Sequence, residues 1–143
     1  MKIIVGSDHG GYDLKNQIIE HLKARGIETE DLGCYSTESV DYPEYGQKVA
    51  KAVAAGEGDR GIICCGTGIG ISIAANKVKG IRCALPYDEF TAEMCKRHND
   101  ANIVSFGGRT LAPEKVMKLI DIWLDTEFEG GRHERRVNML NEL

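Results

Sequence analysis

No excess of positive charge marks this chain: 22 acidic residues against 18 basic ones leave a formal charge of −4. A general nucleic-acid or polyanionic-membrane binder presents a basic surface, so that class is excluded. Long hydrophobic runs are missing too. The longest uncharged stretch, residues 61–76, has 16 residues and includes four glycines. That is short of the roughly 18 apolar residues a membrane span needs. No signal peptide is legible, because Lys2 is followed by a short apolar run and then by Asp8 and His9. Repeats and low-complexity tracts are absent, which excludes a disordered chain. Five cysteines are present, yet no pair is spaced C-x-x-C, so the zinc motifs built on that spacing fail. An odd number of cysteines with no secretory signal points to free thiols and a cytoplasmic protein.

Glycine is what the chain has in surplus: 17 of 143 residues, about 12% against a usual ~7%. Nine of the 17 fall in four places, Gly10-Gly11, Gly66/Gly68/Gly70, Gly107-Gly108 and Gly130-Gly131. Glycines clustered after apolar runs mark backbone that turns tightly or approaches a ligand closely.

The apolar pattern alternates between strand and helix. Strands are expected over residues 2–7, 27–32, 61–65, 81–85 and 102–106. A helix over 14–22 stops at Gly26. A second begins at Pro43, with Val49, Ala50, Val53 and Ala54 on its apolar face. A third covers 71–76. A fourth covers 88–98, with Phe90 and Met94 turned inward. A fifth starts at Pro113 and carries Val116, Leu119, Ile120 and Trp123 on one face. A terminal helix over about 132–143 packs Val137 and Leu140. The expectation is an α/β fold, a three-layer α/β/α sandwich of Rossmann-like type. It has a five-stranded parallel sheet in a single domain over 1–143, with strand order beginning 2-1-3. Ligands of such sheets bind beyond the carboxyl ends of the strands. Asp8, His9, Gly10 and Gly11 follow strand one. Cys65 and the glycine run follow strand three, and Gly107, Gly108 and Arg109 follow strand five.

Gly66-Thr67-Gly68-Ile69-Gly70 is not the dinucleotide fingerprint, since residue 71 is Ile, and no Gly-Lys-Ser/Thr follows to make a Walker loop. It is not a C-x5-R phosphatase loop, because Gly70 and Ile71 stand six residues after Cys64 and Cys65. What remains is a strand-to-helix turn whose N–H groups suit an anion. Cys65, just before that helix N-terminus, stands where a thiol gains thiolate character; the alternative is a buried structural cysteine, which Cys64 and Cys83 are expected to be. Strand alternation sends Cys64 and Cys65 to opposite faces. Asp8-His9 reads as an acid/base or phosphate-binding pair, or as a helix cap. His98, at the end of the fourth helix, reads from position alone as structural. Arg132 and Arg136, four apart on one helical face, form either a phosphate clamp or a solvated basic face, and residue type alone favours the latter.

Five motifs, spread from Gly6 to Arg136, resemble the type B ribose-5-phosphate isomerase family, which includes the galactose-6-phosphate isomerase subunits. They are Gly6-Ser7-Asp8-His9-Gly10-Gly11, Asp41-Tyr42-Pro43, Cys65-Gly66-Thr67-Gly68-Ile69-Gly70-Ile71-Ser72, Arg97-His98-Asn99-Asp100-Ala101-Asn102 and Glu129-Gly130-Gly131-Arg132-His133. The resemblance implies aldose–ketose isomerisation of a sugar phosphate through an enediolate, with no metal and no organic cofactor, in the pentose phosphate pathway. It implies Cys65 as the base, Thr67 as the group moving a proton between substrate oxygens, and His98 as the acid that opens the sugar ring. Asp8 holds a sugar hydroxyl and assists opening. Gly66, Thr67, Gly68, Ile69 and Gly70 form the anion hole, and Tyr42 and Asn99 line the sugar. Phosphate falls to His9, Arg109, Arg132 and Arg136, the terminal helix completing the site. Where some relatives carry a glutamate a few positions beyond the cysteine, this chain has Ile71 and Ala74. A homodimer, or a dimer of dimers, is implied, with His98, Asn99 and Arg109 lent by a neighbouring chain. Two alternatives remain: the same chemistry on allose 6-phosphate or galactose 6-phosphate, and a non-catalytic phosphosugar-binding module.

Overall fold

The computed structural model describes every residue, Met1–Leu143. Five strands, β1 (Lys2–Ser7), β2 (Glu28–Asp31), β3 (Arg60–Cys65), β4 (Cys83–Ala84) and β5 (Ile103–Gly107), alternate with helices α1 (Tyr12–Ala24), α2 (Tyr42–Ala54), α3 (Ile69–Asn76), α4 (Glu89–Arg97), α5 (Pro113–Asp125) and α6 (Arg132–Asn141). All strands are parallel, in the order β2-β1-β3-β5-β4. No helix is long and apolar enough to cross a membrane.

Strand alternation builds two cores from one sheet. Ile3, Val5, Ile62, Cys64, Val104 and Phe106 face α1, α4 and α5, whereas Ile4, Ile63, Cys65 and Ile103 face α2 and α3. The adjacent cysteines therefore part company, as expected. Burial drives the Cys64 thiol far above its usual range, which suits an inert core residue. Trp123 anchors the first core; it is fully buried and its indole donates to the Ala101 carbonyl at 2.9 Å. Trp123→Ala is expected to cost about 3–5 kcal/mol of stability, read as a lower urea midpoint, because it leaves both a cavity and an unbonded carbonyl.

Four expectations are corrected. Phe90 is 68% exposed and Met94 only half-buried. The buried stripe of α4 is instead Ala92 and Cys95, small side chains that bring the helix close to its neighbours. Leu140 is 46% exposed; Val137 and His133 are what α6 buries, and Leu140 overhangs a groove of about 500 Å³ beside β4. β4 shrinks to two residues, because at the sheet edge only Cys83 and Ala84 find partners, Ile103 and Val104. Cys83 is half-buried rather than fully enclosed.

The chain leaves β1 for one edge of the sheet and returns to β3 on β1's other side. α1 covers one face and α2 the other, so the strand order reverses between β1 and β3, the position at which open α/β sheets bind ligands.

Candidate active site

Parallel register brings the ends of β1, β3 and β5 level: Ser7 pairs with Cys64, and Cys65 with Gly107. The loops beyond them are tied together through the backbone. Asp8 N–H donates to the Cys64 carbonyl at 3.2 Å, Gly108 N–H to Cys65 at 2.8 Å and Arg109 N–H to Gly66 at 3.0 Å. After β1 the chain enters a tight turn, His9–Gly11, capped by the buried Asp8 side chain, which accepts from Gly11 N–H at 3.1 Å. This turn lies directly on β3: a Cβ on Gly11 would fall 2.5 Å from the Cys64 carbonyl. Glycine is required there by contact and not by φ.

His9 Nδ1 accepts from Val40 N–H at 3.1 Å. In the neutral ring the proton then sits on Nε2, so His9 turns a donor outward.

Cys65 is 5% exposed against 0% for Cys64, and its sulfur accepts from Gly68 N–H at 3.1 Å. That donor stands where negative charge on sulfur would be stabilised. Gly68 has φ +79°, and a Cβ there would lie 2.8 Å from Phe106 backbone, so the turn closes only with glycine. Helix α3 begins at Ile69, two residues earlier than expected, because Gly68 caps it. The N–H groups of Gly66, Thr67 and Gly70 make no hydrogen bond within the chain, and exposed Thr67 lends Oγ1 to Ile69 N–H at 3.2 Å. The result is a shallow nest of free donors at a helix N-terminus, beside the Cys65 sulfur. The Tyr42 ring lies over Gly70, where a Cβ would come within 2.6 Å of it. Arg109 brings its guanidinium to within 3.0 Å of the Cβ position of Gly66. Arg109 thus lines the carboxyl edge of its own chain's sheet, beside the glycine turn.

His98, Asn99, Arg132 and Arg136 lie elsewhere. α4 runs from the carboxyl end of β4 back to the amino end of β5, so its C-cap, His98, sits at the opposite edge of the sheet. The four residue steps from Ile103 to Gly107 put about 13 Å of strand between the two edges. α6 joins His98 there. Glu129 N–H donates to the Arg97 carbonyl at 3.0 Å, and Arg97 meets the Glu129 carboxylate at 3.1 Å. Arg132 and Arg136 are exposed one turn apart, and their side chains form no hydrogen bond or ion pair within the chain. Such a pair of free guanidiniums suits phosphate. Cys65 and the Gly66–Gly70 turn therefore lie at one edge of the sheet, and His98, Asn99, Arg132 and Arg136 at the other.

His98, Glu129 and His133 place donor atoms within 4.8 Å of one another. The two imidazoles are stacked within 10° of parallel, however, so their in-plane lone pairs run side by side and do not converge on one ion.

Several residues gave no signal on residue type alone. Ser105, buried in β5, donates to the Gly68 carbonyl at 2.7 Å and pins the turn from beneath. A polar residue inside an apolar strand was the available clue. Lys15 is fully buried on α1. It pairs with Asp31 at 2.9 Å and donates to the Cys34 carbonyl, which steadies the loop leading to Val40 and His9. Its clue was a lone charge on a helix face that also carries Leu14 and Ile18.

The ribose/galactose isomerase family model matches residues 3–140. A ribose-5-phosphate isomerase B of Escherichia coli K12 is 46% identical over 99% of this chain and 95% of its own length. The solved ribose-5-phosphate isomerase B of Clostridium thermocellum is 54% identical, with a TM-score of 0.98 over 99% of this chain and 96% of that one. That of Mycoplasma genitalium, solved with ribulose 5-phosphate bound, is 40% identical, with a TM-score of 0.93 over 99% and 94%.

Proposed function

The chain belongs to the ribose/galactose isomerase family and is an isomerase; from that premise we propose that it interconverts ribose 5-phosphate and ribulose 5-phosphate by proton transfer through an enediolate. The observation that carries the reading is the Cys65 sulfur, held by Gly68 N–H beside the free amides of Gly66, Thr67 and Gly70.

In this reading Cys65, as thiolate, removes the C2 proton of the open-chain aldose and returns it to C1. The enediolate oxygens lie against the Gly66–Gly70 amides, donors aimed at charge that develops only as the proton leaves. The Thr67 hydroxyl passes a proton from O2 to O1. Asp8 and Tyr42 hold sugar hydroxyls. The substrate reaches this stage only after its furanose ring opens, with His98 of a second copy donating to the ring oxygen and Asn99 beside it. Arg132 and Arg136 of that copy join His9 and Arg109 around the phosphate. Phosphate binding is remote from the reacting carbons and supplies orientation. The working unit is a homodimer, or a dimer of dimers, acting in the cytoplasm on pentose phosphates, with no organic cofactor or metal taking part.

Turnover of ribose 5-phosphate, allose 6-phosphate and galactose 6-phosphate, measured side by side in reducing buffer with and without chelator, tests the proposal. The expected result is preference for ribose 5-phosphate, unaffected by chelation. Preference for a six-carbon substrate overturns the pentose assignment, and loss on chelation overturns the metal-free one. Binding with no isomerisation of any of the three overturns the whole reading.

A further inference from the structure

His133 is only 6% exposed, yet its Nε2 has no hydrogen-bond partner. Buried ring nitrogens are ordinarily bonded, so this one calls for an explanation. The ring does have a face-to-face neighbour. His98 stacks on it with centroids 4.1 Å apart and planes within 10°. The Glu129 carboxylate faces both rings, one oxygen 3.8 Å from His98 Nε2 and the other 3.9 Å from His133 Nε2. Glu129 is in turn held twice by Arg97, through its side chain and its backbone N–H.

The site as described needs such support. His98 caps α4, beyond the last helical residue, and its side chain is 37% exposed. An imidazole in that position has several staggered rotamers open to it. Contact with a buried ring on one face and a carboxylate 3.8 Å from one edge narrows that choice. The charges around the stack are those of Glu129, Arg97, Arg132 and Arg136. Burial, aided by the nearness of His98, holds His133 below the ordinary imidazole range. A neutral His133 offers a π face, and a cationic ring packs favourably on it, whereas two cationic rings would repel.

We propose that His133 and Glu129 are positioning residues for His98: the buried ring is a platform and the carboxylate a clamp, together aiming the His98 proton at the ring oxygen of the cyclic substrate. Neither residue touches substrate. The proposal rests on the reading of His98 as the ring-opening acid.

The chemistry of the two substrates separates positioning from general stability. Ribose 5-phosphate is cyclic and must open. Ribulose 5-phosphate has its carbonyl at C2 and its O5 esterified, so it cannot close a five-membered ring. It reaches the enediolate with no opening step. Two rates are therefore compared: turnover of ribose 5-phosphate, and exchange of the C1 hydrogen of ribulose 5-phosphate in deuterium oxide. His133→Ala and Glu129→Gln are expected to lower the first by roughly tenfold to a hundredfold and leave the second within about twofold of wild type. His133→Phe, which keeps a flat buried ring, restores most of the loss. Equal falls in both rates would assign a merely structural role and overturn the proposal, as would no fall in either. Should His133→Ala fail to fold, Glu129→Gln, at a half-exposed side chain, carries the same comparison. His98→Asn tells the two readings apart. If it leaves ribose 5-phosphate turnover intact, the acid assignment itself is wrong. If it lowers that turnover while His133→Ala and Glu129→Gln do not, only the positioning claim falls.

Discussion

Cys65→Ala is expected to lower ribose 5-phosphate turnover by roughly a hundredfold to ten-thousandfold, the usual range for loss of a positioned base. The fold should survive. The thiol is small and lies at the carboxyl end of β3, at the margin of the second core. Its removal leaves one N–H, that of Gly68, without its sulfur partner, at a cost of about 1–3 kcal/mol. Binding of ribose 5-phosphate should be weakened little, since the phosphate and sugar groups are held by other residues. Calorimetric binding, a melting curve and turnover on one preparation separate these effects. Retention of a tenth or more of wild-type turnover would remove Cys65 from the role of base.

Mixing two inactive variants should restore activity. Within a chain, Cys65 and His98 occupy opposite edges of the sheet, and no rotation of side chains spans about 13 Å of strand. Cys65→Ala and His98→Asn are each expected to be close to inactive on ribose 5-phosphate. In a mixed two-fold dimer one site is then built entirely from intact residues, and the other holds both defects. Random reassortment makes half the dimers mixed with one of two sites working, so roughly a quarter of wild-type turnover should return. Denaturing the two proteins together, refolding them and following activity against the mixing ratio makes the measurement. No recovery, with mixed dimers confirmed by mass, would place Cys65 and His98 in the same chain's site or outside it altogether.

The architecture is largely legible in the sequence. The short continuous apolar runs of β1, β3 and β5, alternating with helical segments, predict a parallel sheet, and that is what forms. Where the reading failed, the failures share a cause. On α4, Phe90 and Met94 make as good a helical stripe as Ala92 and Cys95. Periodicity reports that a face is apolar but not how closely the next helix approaches. At β4, apolar residues 81–85 promise a full strand, but pairing needs a neighbour on at least one side along its length, and an edge position supplies one for only two residues.

The candidate site divides in the same way. Asp8, His9, Cys65, Thr67 and the glycines announce themselves because each follows an apolar strand within a few residues. In a parallel sheet that local fact already places them on one edge. Ser105 and Lys15 are silent, and Glu129 and His133 stand in a motif that gives them no task, since what each does depends on contacts across 16 to 37 residues of chain or between helices.

The local pattern of side chains was enough to establish the class of fold, the separate fates of Cys64 and Cys65, and a glycine-rich turn at the start of a helix. Hydrogen bonding along a strand or helix, and the alternation of its side chains, involve only near neighbours. Which edge His98, Arg132 and Arg136 occupy, whose Arg109 lies beside Gly66, and how His133 comes to lie under His98 were settled only when the strands took their order. Those relations depend on the direction in which α4 and α6 cross the sheet, a long-range property that no short stretch of sequence records.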